Sequence, residues 1–301
     1  MKNTNRILVN DTFEDYLGAK DYLSSSDISQ LLHSQKHFEA YKNEDVKFEE
    51  TASQKLGTAV HLAILEPYKF HNEYCYYDKS MLPYPDSTMV KKENKQWYED
   101  FCKEKSDKII LTKDEYDKVI AMHKSVYSNL FAKDLLADCL IEHSNYGIVN
   151  HDGKDIPVRV RPDAINVERN YFISLKTTQD ASKDGFGREC SKYNYHAKEA
   201  FYMTCLRSFL PEEKKPTTGY FIAVENKPPY LCQVFDMNVD RAYGEVSEFL
   251  QVGKHLVDVA FNRYCDLQET GVAKGYELES DEIVQIVLPR YEVFSANQKS
   301  I

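Results

Sequence analysis

Asp163, Ser174 and Lys176 are the residues whose types and spacing most suggest chemistry. They lie in RPDAINVERNYFISLKTT, residues 161–178, where two runs of alternating character flank the polar stretch VERN. Alternation places every second side chain on one face of a strand. Phe172, Ser174 and Lys176 then share one face, and Tyr171, Ile173 and Leu175 the other. Read as an antiparallel hairpin over 158–176 with its turn between Glu168 and Arg169, the segment sets Asp163 directly across from Ser174. Cross-strand neighbours have Cβ atoms about 5 Å apart, so a carboxylate, a hydroxyl and an ammonium group converge. Carboxylates hold Mg²⁺ through oxygen. Such an ion polarises a phosphodiester and acidifies a bound water, and an ammonium group offsets charge building on phosphoryl oxygens. A lysine on the inner face of a central strand also needs a nearby anion. The competing reading is a solvated hairpin face with a loose Asp163–Lys176 ion pair.

Positioning these groups requires a frame. SSSDISQLLHSQKHFEAYK at 24–42 reads as a capped helix with Ile28, Leu31, Leu32 and Phe38 on one stripe. SQKLGTAVHLAILE at 53–66 reads as a second helix ended by Pro67, followed by irregular chain over 68–90 and helices over 91–105 and 112–138. From residue 139 the texture changes. Strands are expected at 140–149, 156–167, 171–177, 218–225 and 231–237, helices at 193–210 and 239–268, and a closing strand at 283–288. The expected fold is one α+β or α/β domain, a helical part over about 1–138 packed on a sheet-bearing core over about 139–290.

The net charge of −10 argues against indiscriminate nucleic-acid binding, though not against a local basic groove. Arg159, Arg161, Lys183, Arg188, Lys192 and Lys198 are expected to cluster round the site as phosphate contacts. The alternative is that Asp180, Asp184 and Glu189 balance them on a solvated loop. Seven cysteines with no CxxC fit a reducing compartment. The opening MKNTNRILVNDTFEDY has no signal-peptide run, and no apolar stretch of membrane length follows. A cytoplasmic protein is expected.

The order and spacing of SSSDISQLLHSQKHF (24–38), GTAVHLAILEP (57–67), RPDAI (161–165), SLKTTQDAS (174–182), HAKEAFYM (196–203) and FIAVENKPPY (221–230) resemble the PD-(D/E)XK nuclease superfamily. More narrowly, they resemble the exonuclease VIII family of phage and prophage recombination nucleases. The resemblance covers about residues 22–290. It implies a restriction-endonuclease-like core, a mixed β-sheet flanked by helices. It also implies a Mg²⁺- or Mn²⁺-dependent 5′-to-3′ exonuclease of duplex DNA ends, often a ring-shaped homo-oligomer working with a single-strand annealing protein. On that resemblance His61, Asp163 and Glu142 are metal ligands and Lys176 positions the hydrolytic water. Gly57, one turn before His61, would let its helix approach the sheet.

Two positions depart from the family pattern. Ser174 stands where an acidic residue is usual, and Lys198 stands where glutamine is usual, with Tyr202 four residues on; Lys198 and Tyr202 would hold the scissile phosphate. Both changes lower cation affinity, so the metal is either held or lost. Glu199 on the same helix, or Glu189 before it, could supply the missing carboxylate. The alternatives are a catalytically weakened or inactive nuclease fold that binds DNA or a partner protein and, more remotely, a hydrolase using a Ser174–Lys176 dyad.

Overall fold

The computed structural model describes residues 5–45, 51–87, 89–240, 245–276 and 286. Its helices start where side chains can satisfy free N–H groups. After strand β1 (Arg6–Val9), helix α1 (Phe13–Gly18) opens on a capping box of Thr12 with Asp15. The helix expected over 24–42 is two, α2 (Ser25–His33) and α3 (Gln35–Lys42). Ser34 is fully extended between them, ends α2, and accepts the His37 N–H through its hydroxyl as the cap of α3.

Helix α4 (Ala52–Leu65) begins on a Thr51–Gln54 capping box. Pro67 stops it and also opens α5 (Pro67–Glu73), where a missing N–H costs nothing. The region expected to be irregular holds a strand, β2 (Tyr74–Tyr77). It pairs in parallel with β3 (Ile109–Thr112) across α6 (Lys92–Glu104). The long helix expected over 112–138 is α7 (Lys113–Ser128) and α8 (Leu130–Leu136). Asn129 separates them, its side-chain oxygen accepting the N–H groups of Phe131 and Ala132.

Strands β4 (Leu140–Ile141), β5 (Ser144–His151), β6 (Lys154–Val160), β7 (Ala164–Asn166) and β8 (Tyr171–Thr178) follow. The hairpin expected over 158–176 is divided between two sheets. β6 pairs with β5, and β5 with β1, in a three-stranded antiparallel sheet; of β6 and β7, it is β7 that pairs with β8. Pro162, which has no N–H to give to a ladder, stands at the break. Asp152 and Gly153, both at positive φ, close the two-residue turn between β5 and β6.

Beyond β8 come α9 (Lys183–Lys192), capped by Ser182 where a loop was expected, then α10 (Tyr195–Phe209), β9 (Thr218–Glu225) and β10 (Cys232–Asp236). The small pair β11 (Val239–Asp240) and β12 (Glu245–Val246) occupies the start of the helix expected at 239, and α11 runs from Glu248 to Thr270. The strand expected at 283–288 falls, but for Ile286, outside the described residues.

The main sheet is five-stranded, in the order β10-β9-β8-β7-β4, with β8 and β9 parallel and the other neighbours antiparallel. α9 and α10 make the crossover that a parallel pair requires. Phe172, Phe221 and Ala223 pack in a core with Phe201 of α10 and Phe261 of α11. Ile173, Leu175, Ile222 and Val224 pack in a second core with Val60 and Ile64 of α4 and Val119 and Met122 of α7. Helices thus cover both faces of a mixed sheet, the restriction-endonuclease-like arrangement. No described helix is long and apolar enough to cross a membrane.

Candidate active site

The register of β7 on β8 pairs Ala164 with Ile173, so the next residues outward, Asp163 and Ser174, face each other. β4 adds a third strand. Ile141 pairs with Ala164, and the Glu142 N–H donates to the Asp163 carbonyl at 3.1 Å. Glu142, Asp163 and Ser174 therefore stand in one line across three neighbouring strands.

The Asp163 side chain is fixed from two directions. Its Oδ2 accepts the Leu175 N–H at 2.6 Å and lies 3.7 Å from Lys176 Nζ. Its Oδ1 faces His61 Nδ1 at 3.9 Å, too far for a hydrogen bond. His61 arrives on α4, and Gly57 lies one turn earlier. A Cβ at Gly57 would meet Thr177 Oγ1 at 3.8 Å, an ordinary contact, so close approach of helix to sheet does not require the glycine.

From the other side α10 delivers Glu199, 3% exposed, whose Oε2 accepts the Ser174 hydroxyl hydrogen at 2.7 Å. The carboxylate absent from position 174 is thus present beside it, on the helix. Burial raises the Glu199 pKa against the opposing pull of Lys176 and Ser174. Burial works to lower Lys176, but Asp163 and Glu199 outweigh it and the ammonium form is held. Burial and the neighbouring Lys176 push Lys198 down. Both ammonium groups lie against the same ring, 5.6 Å and 5.7 Å from the centroid of Tyr195.

An open cavity of about 1360 Å³ borders this cluster; His61, Glu142, Lys176, Lys198 and Glu189 are among its walls. Of the six cations expected round the site, only Arg161 and Lys198 line it. Arg161 is already neutralised, its guanidinium donating to Asp11 Oδ1 and Glu142 Oε2, each at 2.9 Å. Arg159 is 5% exposed, donates to the Tyr16 carbonyl and stacks over the Tyr16 ring; a buried cation with a protein partner cannot meet DNA. Lys183, Arg188 and Lys192 are exposed on α9, outside the cavity wall, with Arg188 3.7 Å from Asp180. Tyr202 also departs from its expected place. Its hydroxyl donates to the Arg161 carbonyl at 3.1 Å and its ring lies against Phe172, so it braces the strand break rather than facing the cavity.

Asp11 and Tyr195 are parts of the site that sequence reasoning missed. Asp11 precedes α1 and carries no motif. Burial raises its pKa, but hydrogen bonds from Ser144 and Tyr146 and the charge of Arg161 bring it below the usual carboxylate value. Tyr195 had a signal, its spacing of three residues from Lys198 on one helix face.

Among the described residues, no three of His, Cys, Asp and Glu converge as a ready metal cage. The donors that do meet, His61 and Asp163, are 28% and 19% exposed, and His61 lines the cavity. One or two carboxylates with several retained waters is how Mg²⁺ is commonly held. The residues fit an open site completed by water, not a closed protein cage.

Residues 24–269 match the family described as "PDDEXK-like domain of unknown function" (DUF3799). Among solved structures, the chain is similar to a "putative exonuclease" from Eubacterium rectale, with TM-score 0.58 and 12% identity over 95% of this chain and 98% of that one. At that identity the likeness shows the fold alone. A second structure, SSO0001, reaches only TM-score 0.28 at 13% identity, over 72% of this chain and 88% of that one. No curated protein matches. With more than half its length matched, the chain belongs to this PDDEXK-like family and has a nuclease fold of the PD-(D/E)XK superfamily.

Proposed function

We propose that this protein is a metal-dependent exodeoxyribonuclease of the exonuclease VIII-like kind. It would hydrolyse phosphodiesters at duplex DNA ends during phage or prophage recombination, as a homo-oligomer beside a single-strand annealing protein. The observation that carries the reading is the meeting of Asp163, Lys176, His61 and Glu199 beside one open cavity, whose wall includes His61 and Lys176. A divalent ion, Mg²⁺ or Mn²⁺, would be held by Asp163 and His61 with water. When bound it would supply Lewis acidity toward the phosphodiester and the attacking water.

The chain's own groups do the remaining work. The Lys176 ammonium, kept charged by two carboxylates, orients the attacking water and donates to a phosphoryl oxygen as charge develops there. Lys198 meets the same phosphate from the helix side. Its position suits an anion that arrives with the substrate, since among the described residues no carboxylate pairs with it as closely as Asp163 pairs with Lys176. Glu199, through Ser174, keeps negative charge beside Lys176 and Asp163 and fills the place of the family's second acid. Purified full-length protein should degrade linear duplex DNA with Mg²⁺ or Mn²⁺ and stop when the metal is chelated.

A second reading is favoured by one observation. Lys198 lines the pocket, while among the described residues no three of His, Cys, Asp and Glu converge as a metal cage, which suits a protein that holds DNA or a partner without cutting it. Calorimetry separates the two. Mn²⁺ binding that is lost in His61→Ala supports the nuclease; no binding at millimolar Mn²⁺ supports the non-catalytic descendant.

A further inference from the structure

Tyr193 lies at the cavity without any part in the hydrolysis described above. It stands at the carboxyl end of α9, is 46% exposed and lines the cavity. Its ring stacks on that of Tyr195, with centroids 5.7 Å apart and planes 29° from parallel. Tyr195 is itself held by Phe186 and Phe221 at 6.3 Å and 6.1 Å, and meets Lys176 and Lys198 through its ring. Asn194, in the left-handed conformation at φ 53 and ψ 38, turns the chain between the two tyrosines and starts α10. The result is a braced aromatic surface running from the cavity opening to the ammonium groups beside Asp163.

A ligand that fits such a surface has a flat face for Tyr193 and an anion for the lysines. A nucleotide has both, and base–aromatic stacking tolerates any base. A base inside a duplex already has both faces covered, so only an unpaired or terminal base is free to stack. The same cavity is lined by Asp15, Glu73 and Glu189, which carry the phosphates' own sign and disfavour a second strand. Lys192, whose Nζ lies 5.1 Å from the Tyr193 centroid, is exposed and unbranched, free to leave the ring and meet a phosphate.

We propose that Tyr193 is a stacking shelf for an unpaired nucleobase at the end of a DNA strand, so that the site takes a frayed or single-stranded end rather than an intact duplex. The proposal rests on the nuclease reading and names its substrate class.

The test uses full-length protein with Ca²⁺, and again in EDTA, with two probes. One is a short fluorescein-labelled single strand and its blunt duplex, read by anisotropy. The other is the same strand with 2-aminopurine at its terminal base, read by fluorescence quenching. Wild type should bind the single strand more tightly than the blunt duplex and quench the 2-aminopurine. Tyr193→Leu should lose the quench and bind the single strand about tenfold more weakly, while Tyr193→Phe keeps both. DNA binding by wild type without any quench overturns the shelf and leaves the nuclease reading standing, whether or not the variants fold. Equal single-strand affinity and quench in Tyr193→Leu do the same. Failure of wild type to bind either DNA overturns both.

Discussion

Ser174 donates its hydroxyl hydrogen to Glu199 across 2.7 Å, joining the strand position where related nucleases carry an acid to a buried carboxylate on the next helix. A carboxylate on α10 thus stands about one side chain's length from position 174 of β8. The swap Ser174→Asp with Glu199→Ser should therefore retain cleavage. Each single change should lose about tenfold or more, one by crowding two like charges and the other by removing the carboxylate. Rates on linear duplex DNA for the three variants decide this; a double variant no better than the worse single would argue against relocation.

Glu199 also links the site to pH. Its pKa is raised by burial, so the folded state binds its proton more tightly than the unfolded state does. Its contribution to stability is full below the ordinary carboxylate value and is lost as pH rises through the raised value. Glu199→Gln should then raise the melting temperature at neutral pH, by roughly 2–4 °C for each kcal/mol relieved. It should also flatten the decline in stability between mildly acidic and neutral pH, while lowering cleavage. Thermal denaturation across that pH range is the measurement.

Lys198 carries the opposite sign. Burial and Lys176 depress its pKa, so its contribution to stability is present above the ordinary lysine value and is lost as pH falls through the depressed one. Lys198→Gln should stabilise the fold at neutral pH and tighten Mn²⁺ binding, because it removes a cation from beside the candidate metal donors. Calorimetric Mn²⁺ titration of wild type and variant, with melting curves, tests both parts.

Arg161 is structural in its effect. It ties Asp11 to Glu142 and donates to Ser144 Oγ at 2.8 Å. Arg161→Met should cost about 3 kcal/mol in urea denaturation by leaving two carboxylates without their cation. A variant of wild-type stability would mean the pairs are screened by water.

The order of strands and helices was legible because periodicity and capping residues act locally. The facing of Asp163 and Ser174 followed from alternation and one turn, and the β7–β8 register has it. What escaped were breaks inside continuous patterns. Ser34 and Asn129 each divide a helix that apolar spacing reads as one, since their side chains cap the following segment. Pro162 divides a strand between two sheets. The same break misled the reading of Arg159, which alternation had set beside Arg161. The roll of α10 could not be read at all. Lys198 lines the pocket and Glu199 is buried against Ser174, whereas Tyr202, one turn after Lys198, turns to the Arg161 carbonyl. Packing under α11 and on β8, not helix spacing, decides which face of α10 is buried.

Lys176 gives the most direct test of the proposed chemistry. Linear duplex DNA is incubated with Mg²⁺ or Mn²⁺ and equal amounts of wild type and Lys176→Ala, and nucleotide release is followed over time. Cleavage by wild type, reduced about a thousandfold in the variant, is the expected result. Equal release by the two proteins would contradict an active site built on Lys176.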